Sequence, residues 1–466
     1  MKAAAETPDS PGAVHRRGGR RALALAAPFA LLLLAELALR ALDSAGLVPL
    51  PRPATVRDAW AADGWTVDRH LNWRLIPEHT SVRGGAECVT NSRGLREEEL
   101  PLAKPPGTYR ILVLGDSTVL GFGVPLAARF SDRLEALLNQ EGRSLRFETV
   151  NAGVPGYSLY NAWVYLQREG LRFEPDLLIV ETNFNDRRLV APEHADSEEA
   201  YARFWRRLRA QELLSATYLG RATRRALAGL GLVRPGLVDT GDFEPVPIDV
   251  AGARARLEPE RYEALLDELL AFAAARGLPV VLVPLPDRPA NVAAIHRAGE
   301  LAAAGRAAEA LAALEAHDAD ARLAQAPPAE LVARGQRALE QGRGDDPALR
   351  ELQRLTELPI YALVVARRLN ALAPALGRAP IEHLPNPVDW NSTDGSLLVH
   401  LCEPYVARLH GAAARPGVET VAFDTRGEGL DALYLDYIHL NEAGHAELAR
   451  RLHALVTTSG EIALPR

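Results

Sequence analysis

Cysteine is nearly missing from this chain: 466 residues contain two, Cys88 and Cys402. Two thiols so far apart cannot build the framework of a disulfide-stapled domain, and neither has the spacing of a metal site. One bridge is open to them in an exported domain, and two unrelated thiols is the simpler reading. A one-sided charge is missing too. Against 60 acidic residues stand 53 basic ones, a formal net charge of -7, which gives no strong overall field for nucleic acid. No zinc, nucleotide or phosphate-cradling motif occurs, so no metal and no cofactor is expected. The run Asp389 to Gly395 looks superficially calcium-like, but its glycine and ligand spacing miss the EF-hand register.

What is present begins with an address. A basic tail, residues 1–21, ends in Arg20-Arg21, and Ala22 to Ala35 carries no charge. Glu36 and Arg40 then follow four residues apart, a spacing that lets them partly neutralise each other on a helix. Extended through Leu42, the apolar run reaches the ~20 residues that cross a bilayer. Basic residues on the N-terminal side keep that end in the cytoplasm and put the rest outside. The expectation is a single-pass transmembrane anchor at 22–42. A cleaved signal peptide is the rival, disfavoured because no small-x-small site follows the run. A twin-arginine export signal on Arg20-Arg21 is a third reading.

Residues 43–106 are punctuated by Pro and Gly, with scattered Trp60, Trp65 and Trp73. They read as an appended segment that wraps the next domain. From 107 the pattern becomes strand–helix alternation. Arg110–Leu114, Phe147–Asn151, Leu177–Thr182, Pro279–Pro284 and Val418–Phe423 are short apolar runs bounded by turn formers. Helical stretches at Pro125–Gln140, Ser158–Glu169, Pro259–Arg276, Ser396–Ala413 and Asn441–Val456 separate or follow them. Near-continuous apolar strands alternating with helices predict an α/β, flavodoxin-like three-layer sandwich on a five-stranded parallel sheet. Its two parts are expected at 107–291 and 387–458.

Two stretches fall outside the alternation. Tyr201 to Gly231 is Arg-rich and amphipathic; it can lie on a membrane surface, cover the site as a lid, or pack on the domain. Residues 292–386 read as a helical insertion. Within it Ala298 to Leu314 resembles one tetratricopeptide unit around Gly305, too little for a solenoid but open to a protein partner.

The chemistry lies where strands end. Gly115-Asp116-Ser117 follows the first strand, Asn151-Ala-Gly-Val-Pro-Gly156 the second, Asn185-Asp186 the third, and Asp436-Tyr-Ile-His439 the fifth. By average residue usage, Gly-Asp-Ser alone arises by accident in roughly one chain of this length in ten. Position is what counts, because every strand of a parallel sheet opens its C-terminal end on the same edge. A serine hydroxyl needs a base to become a nucleophile. His439 is the candidate base for Ser117, and Asp436, three residues earlier, the carboxylate that orients its imidazole. Oxyanion donors are expected from the Ser117 N–H, Gly156 and the Asn185 amide. Asp116, Gly153 and Asp186 are expected in support. His445 and His410 are expected on helix surfaces.

These blocks resemble the SGNH hydrolase superfamily, the GDSL-type esterases. Gly115-Asp116-Ser117-Thr118, Asn151–Ser158, Asn183-Phe184-Asn185-Asp186 and Asp436–His439 match its four blocks in order, although Asn183 stands where the third usually has glycine. Asn91-Ser-Arg-Gly-Leu-Arg96 and the apolar segment with Glu36 and Arg40 are similar to membrane-anchored bacterial members. The resemblance implies a serine hydrolase acting on O-acetyl or lipid esters outside the cytoplasm through Ser117, His439 and Asp436. It implies a periplasmic catalytic domain tethered to the cytoplasmic membrane. An O-acyltransferase modifying envelope polysaccharide with the same residues is the first alternative. A non-catalytic envelope scaffold that binds a partner through the insertion is the second.

Overall fold

The computed structural model describes residues 14–52, 64–140, 144–190, 195–230, 254–285, 297–313, 402–423, 430–435 and 438–462, with isolated positions between them and side chains from Ala27 onward. Two compact units emerge: Met1–Ala59 with Phe204–Thr240, and Trp60–Arg203 with Gly241–Arg466. The principal strands are β1 (Trp65–Asp68), β2 (Asn72–Leu75), β3 (Thr80–Arg83), β4 (Ala86–Val89), β5 (Thr108–Gly115), β6 (Arg146–Gly153), β7 (Leu177–Val180), β8 (Val280–Leu282) and β9 (Val418–Thr420). The principal helices are α1 (Val14–Ser44), α2 (Ser117–Leu120), α3 (Phe130–Gln140), α4 (Leu159–Arg168), α5 (Glu198–Ala216), α6 (Tyr218–Gly229), α7 (Pro259–Ala274), α8 (Glu403–Ala412) and α9 (Glu442–Thr458).

The larger unit is organised by the parallel sheet β9-β8-β7-β5-β6. All five predicted strands are in it. In order of sequence the arrangement is 2-1-3-4-5, the flavodoxin-like winding whose switch point lies between first and third strands. Side chains of a strand alternate between its faces, and here both faces are covered. Ile111, Val113, Leu177, Ile179 and Val281 pack in the cluster built with α3 and α9. Their neighbours Leu112, Leu114, Leu178, Val180 and Leu282 pack with α4, α7 and α8. That two-sided burial is why the strands read as unbroken apolar runs.

The segment before the sheet forms two antiparallel hairpins, β1–β2 and β3–β4. Leu71, Leu75, Cys88 and Leu95 from this segment enter the same core as α4 and α7, so it wraps the domain and has no core of its own. Cys88 and Cys402 are buried free thiols. Of the insertion, helical stretches at 297–303 and 307–313 are described, joined through Gly305 at φ +72°. The calcium-like run 389–395 lies outside the described residues.

In the smaller unit the amphipathic stretch is two helices, not one. Thr217 breaks it: its hydroxyl accepts the Gly220 N–H at 3.0 Å and caps α6. The expected membrane span falls within α1, a 31-residue helix. Among the described residues, however, no helix is long and apolar enough to cross a membrane. Phe29, Leu31, Leu32, Leu33, Leu34 and Leu37 of α1 are all exposed.

Candidate active site

β5 ends in Gly115 because nothing larger fits: a Cβ there would collide with Val119 and with the Glu181 carbonyl. Asp116 then caps α2, its Oδ1 accepting the Thr118 N–H at 2.8 Å. Ser117 is thereby placed at the first position of a four-residue helix that stops at Gly121, φ +81°. A first-turn amide has no partner within its own helix. Among the described residues no protein group accepts the Ser117 N–H.

His439 approaches from the far end of the chain. Its Nε2 lies 2.7 Å from Ser117 Oγ, across 322 residues of sequence. Both are at most 8% exposed, so the hydrogen bond is shielded from bulk water. The imidazole stacks on Phe122, centroids 4.3 Å apart and planes at 24°. Behind it the Tyr434–Leu440 bridge closes the loop, and Asn441 caps α9 by accepting the Gly444 N–H at 3.0 Å. Asp436, the expected orienting carboxylate, lies outside the described residues.

The third-strand loop reaches across the switch point. Asn185 Nδ2 donates to Asp116 Oδ2 at 2.7 Å, which fixes the amide beside the nucleophile's turn. Asn183, at the usual glycine position, turns its amide to the Leu285 carbonyl at 2.8 Å. Asp186 supports the neighbouring loop: its Oδ1 accepts the Leu159 N–H, 2.7 Å, at the start of α4. Burial pushes the Asp186 carboxyl up to about 7. Asp116 and Glu181 are both buried, and desolvation raises both carboxyls.

The glycine loop after β6 is packed from two sides. Gly153 allows the strand end to lie on the Val119–Leu120 backbone. Asn151 ties the same place together, its Nδ2 donating to the Val119 carbonyl at 2.6 Å and to Ser131 Oγ at 2.9 Å. Gly156 takes φ +81°, and a Cβ there would meet the Trp73 ring at 2.9 Å. Its own N–H has no protein acceptor among the described residues.

Several residues that shape the site were not singled out from sequence. Trp73 Nε1 donates to the Pro155 carbonyl at 3.0 Å. Arg256 donates to the Gly156 carbonyl at 2.6 Å while paired with Asp196 at 2.7 Å. Arg96, in the Asn91–Arg96 motif, is buried and donates to the carbonyls of Leu120, Gly121 and Val124 at 3.1, 2.7 and 2.9 Å. It clamps the loop that carries Phe122. One expectation is corrected: His445 is not on a helix surface. It is fully buried, its Nδ1 accepts the Phe130 N–H at 3.2 Å, and its ring stacks on Phe130. Burial pushes its pKa down to about 3. His410 is exposed, as expected.

Seryl hydroxyl, imidazole and unpaired amides in one desolvated place are a constellation for acyl transfer. No curated protein matches the chain. The SGNH-hydrolase family esterase AlinE4 is similar at 17% identity and a TM-score of 0.21, over 39% of this chain and 62% of its own length. A lipase/acylhydrolase from Enterococcus faecalis is similar at 12% identity and 0.30, over 77% and 98%. The acetyl xylan esterase AlAXEase is similar at 11% identity and 0.27, over 74% and 99%. Residues 113–240, with the strand ends that carry Ser117, Gly156 and Asn185, are similar to the GDSL-like Lipase/Acylhydrolase family.

Proposed function

We propose that the chain is a membrane-tethered serine esterase that cleaves O-acetyl or lipid acyl esters outside the cytoplasm. The observation that carries the reading is the 2.7 Å hydrogen bond between Ser117 Oγ and His439 Nε2. Ser117 attacks the acyl carbon as His439 takes its proton, and the imidazolium then protonates the departing alkoxide. Water, deprotonated by the same imidazole, releases the acyl group. Asp436 orients the ring. The oxyanion is met by the N–H groups of Ser117 and Gly156 and by the Asn185 amide, whose other hydrogen is committed to Asp116. The 22–42 stretch supplies the tether, with the basic tail on the cytoplasmic side.

Labelling with a fluorophosphonate probe tests the chemistry. Wild type is expected to label, and Ser117→Ala and His439→Ala are expected not to. Labelling that persists in both variants overturns the assignment.

A further inference from the structure

The smaller unit contains a feature that catalysis does not use. Glu36 interrupts the apolar sequence of α1, where an uncompensated carboxylate is costly. Its two oxygens accept the N–H groups of Tyr218 and Leu219, at 2.9 and 2.8 Å. The Gly220 N–H goes to the Thr217 hydroxyl, and the Thr217 N–H to the Leu214 carbonyl at 3.2 Å. All four orphan donors of α6 are therefore satisfied, two of them by a residue of the anchor. Arg40 and Arg221 both lie over the Tyr218 ring, at 5.4 and 4.5 Å. Further along, Arg221 and Arg225 donate to the carbonyls of Leu50 and Pro49, at 3.0 and 2.7 Å. The start of α6 is thus fastened to α1 and to the chain just beyond it.

Depth follows from helix geometry. Glu36 is six residues before Leu42, the expected outer end of the span. At 1.5 Å per residue that is about 9 Å. Interfacial amphipathic helices settle ~5–10 Å into the headgroup–acyl boundary. Composition agrees. Between residues 203 and 230 there are seven arginines and one glutamate, and that glutamate, Glu212, is already paired with Arg57. Leu213, Leu214 and Leu230 are more than 60% exposed beside them. Apolar side chains next to a segment of seven arginines and one glutamate suit a lipid surface with anionic headgroups.

We infer that α6 and the end of α5 form a platform, docked through Glu36, that lies in the outer membrane–water interface and binds anionic lipid. The inference rests on the tether reading of the proposed function. The full chain is reconstituted in vesicles of phosphatidylcholine alone and of phosphatidylcholine with an equal part of phosphatidylglycerol. An environment-sensitive fluorophore is placed on Leu33→Cys, Leu214→Cys or Leu230→Cys, and the parent chain, whose two thiols are buried, serves as blank.

All three labels are expected to be quenched by spin-labelled lipid and shielded from aqueous iodide, those at 214 and 230 more strongly with phosphatidylglycerol. Glu36→Gln is expected to expose the label at 230 to iodide several-fold more and to leave that at 33 unchanged. Labels at 214 and 230 open to iodide, with that at 33 still in lipid, overturn the platform and spare the tether. A label at 33 open to iodide overturns both. Shielding of 214 and 230 from both quenchers means that a second copy covers the face, and also overturns the platform.

Discussion

In the unit built on the parallel sheet, Arg96, Arg110, Arg129 and Arg256 are buried and partnered. Arg256 is buried with Asp196 at 2.7 Å and also holds the Gly156 carbonyl and Asn161. In the unit built on α1 and α6 the arrangement is reversed. Leucines stand exposed along α1 while Glu36 is occupied by backbone amides. Arginines there pair at partly exposed places, as Arg57 does with Glu212. The first pattern keeps water from the Ser117–His439 pair; the second leaves an apolar surface uncovered. Sequence composition alone does not separate the two, because both regions are rich in Leu and Arg.

The comparison breaks most visibly at the reaction centre. Ser117→Ala or His439→Ala is expected to lower kcat for a simple aryl ester by ~10⁴-fold or more, with the far-UV spectrum unchanged. Asn185→Ala follows at about 10²–10³-fold. An Asn185→Ala variant with wild-type kcat shows that the amide serves only Asp116. Next come the buried charges. Asp196→Ala strands Arg256 and is expected to cost roughly 3–5 kcal/mol of the sheet unit's stability in a urea titration. Glu212→Ala, which breaks the half-exposed pair with Arg57, is expected to cost about 0–1 kcal/mol. Equal losses would erase the contrast between the units.

The strands and the Ser117–His439 encounter were legible from sequence for a physical reason. Two-sided burial forces unbroken apolar runs, and a parallel sheet sends each following loop to one edge. Leu177–Val180 could hardly read otherwise, since all four side chains are buried. What encloses the site was not legible. Arg96, Arg256 and Trp73 act through backbone carbonyls far along the chain, and nothing local distinguishes a buried arginine from a solvated one. His445 misled for a related reason. It sits on the buried face of α9 beside Leu448 and Leu452, where its periodicity matched the core while its polarity suggested the surface.

Two buried titratable groups sharpen the description of the sheet unit by pulling in opposite directions. The Asp186 carboxyl rises to about 7 on burial, so between its unfolded value near 3.8 and 7 the folded chain binds more protons than the unfolded one. Stability from this group therefore falls as pH rises through that window. His445 falls to about 3. Between 3 and its unfolded value near 6.5 the folded chain binds fewer protons, so its contribution grows as pH rises. Asp186→Asn is expected to steepen the gain in stability from pH 4 to 6.5, and His445→Asn to flatten it. Thermal midpoints at several pH values read both, and slopes that move together contradict the opposed signs.

The smallest expected effect concerns the exposed face of α1. Leu178 is fully buried in the sheet, and Leu34 is 62% exposed. Leu178→Ala removes methyl groups that the core cannot replace and is expected to cost about 2–5 kcal/mol. Leu34→Ser, in detergent-free solution of the folded chain, removes a side chain that touches little protein, so a change within about 0.5 kcal/mol is expected. The sign of any residue matters more than its size. A polar replacement that slightly raises solubility fits a face built for lipid, because water gains where hydrocarbon was exposed. A loss comparable to that of Leu178→Ala instead means that protein covers this face in solution, and the contrast between a water-excluding centre and a lipid-facing surface fails.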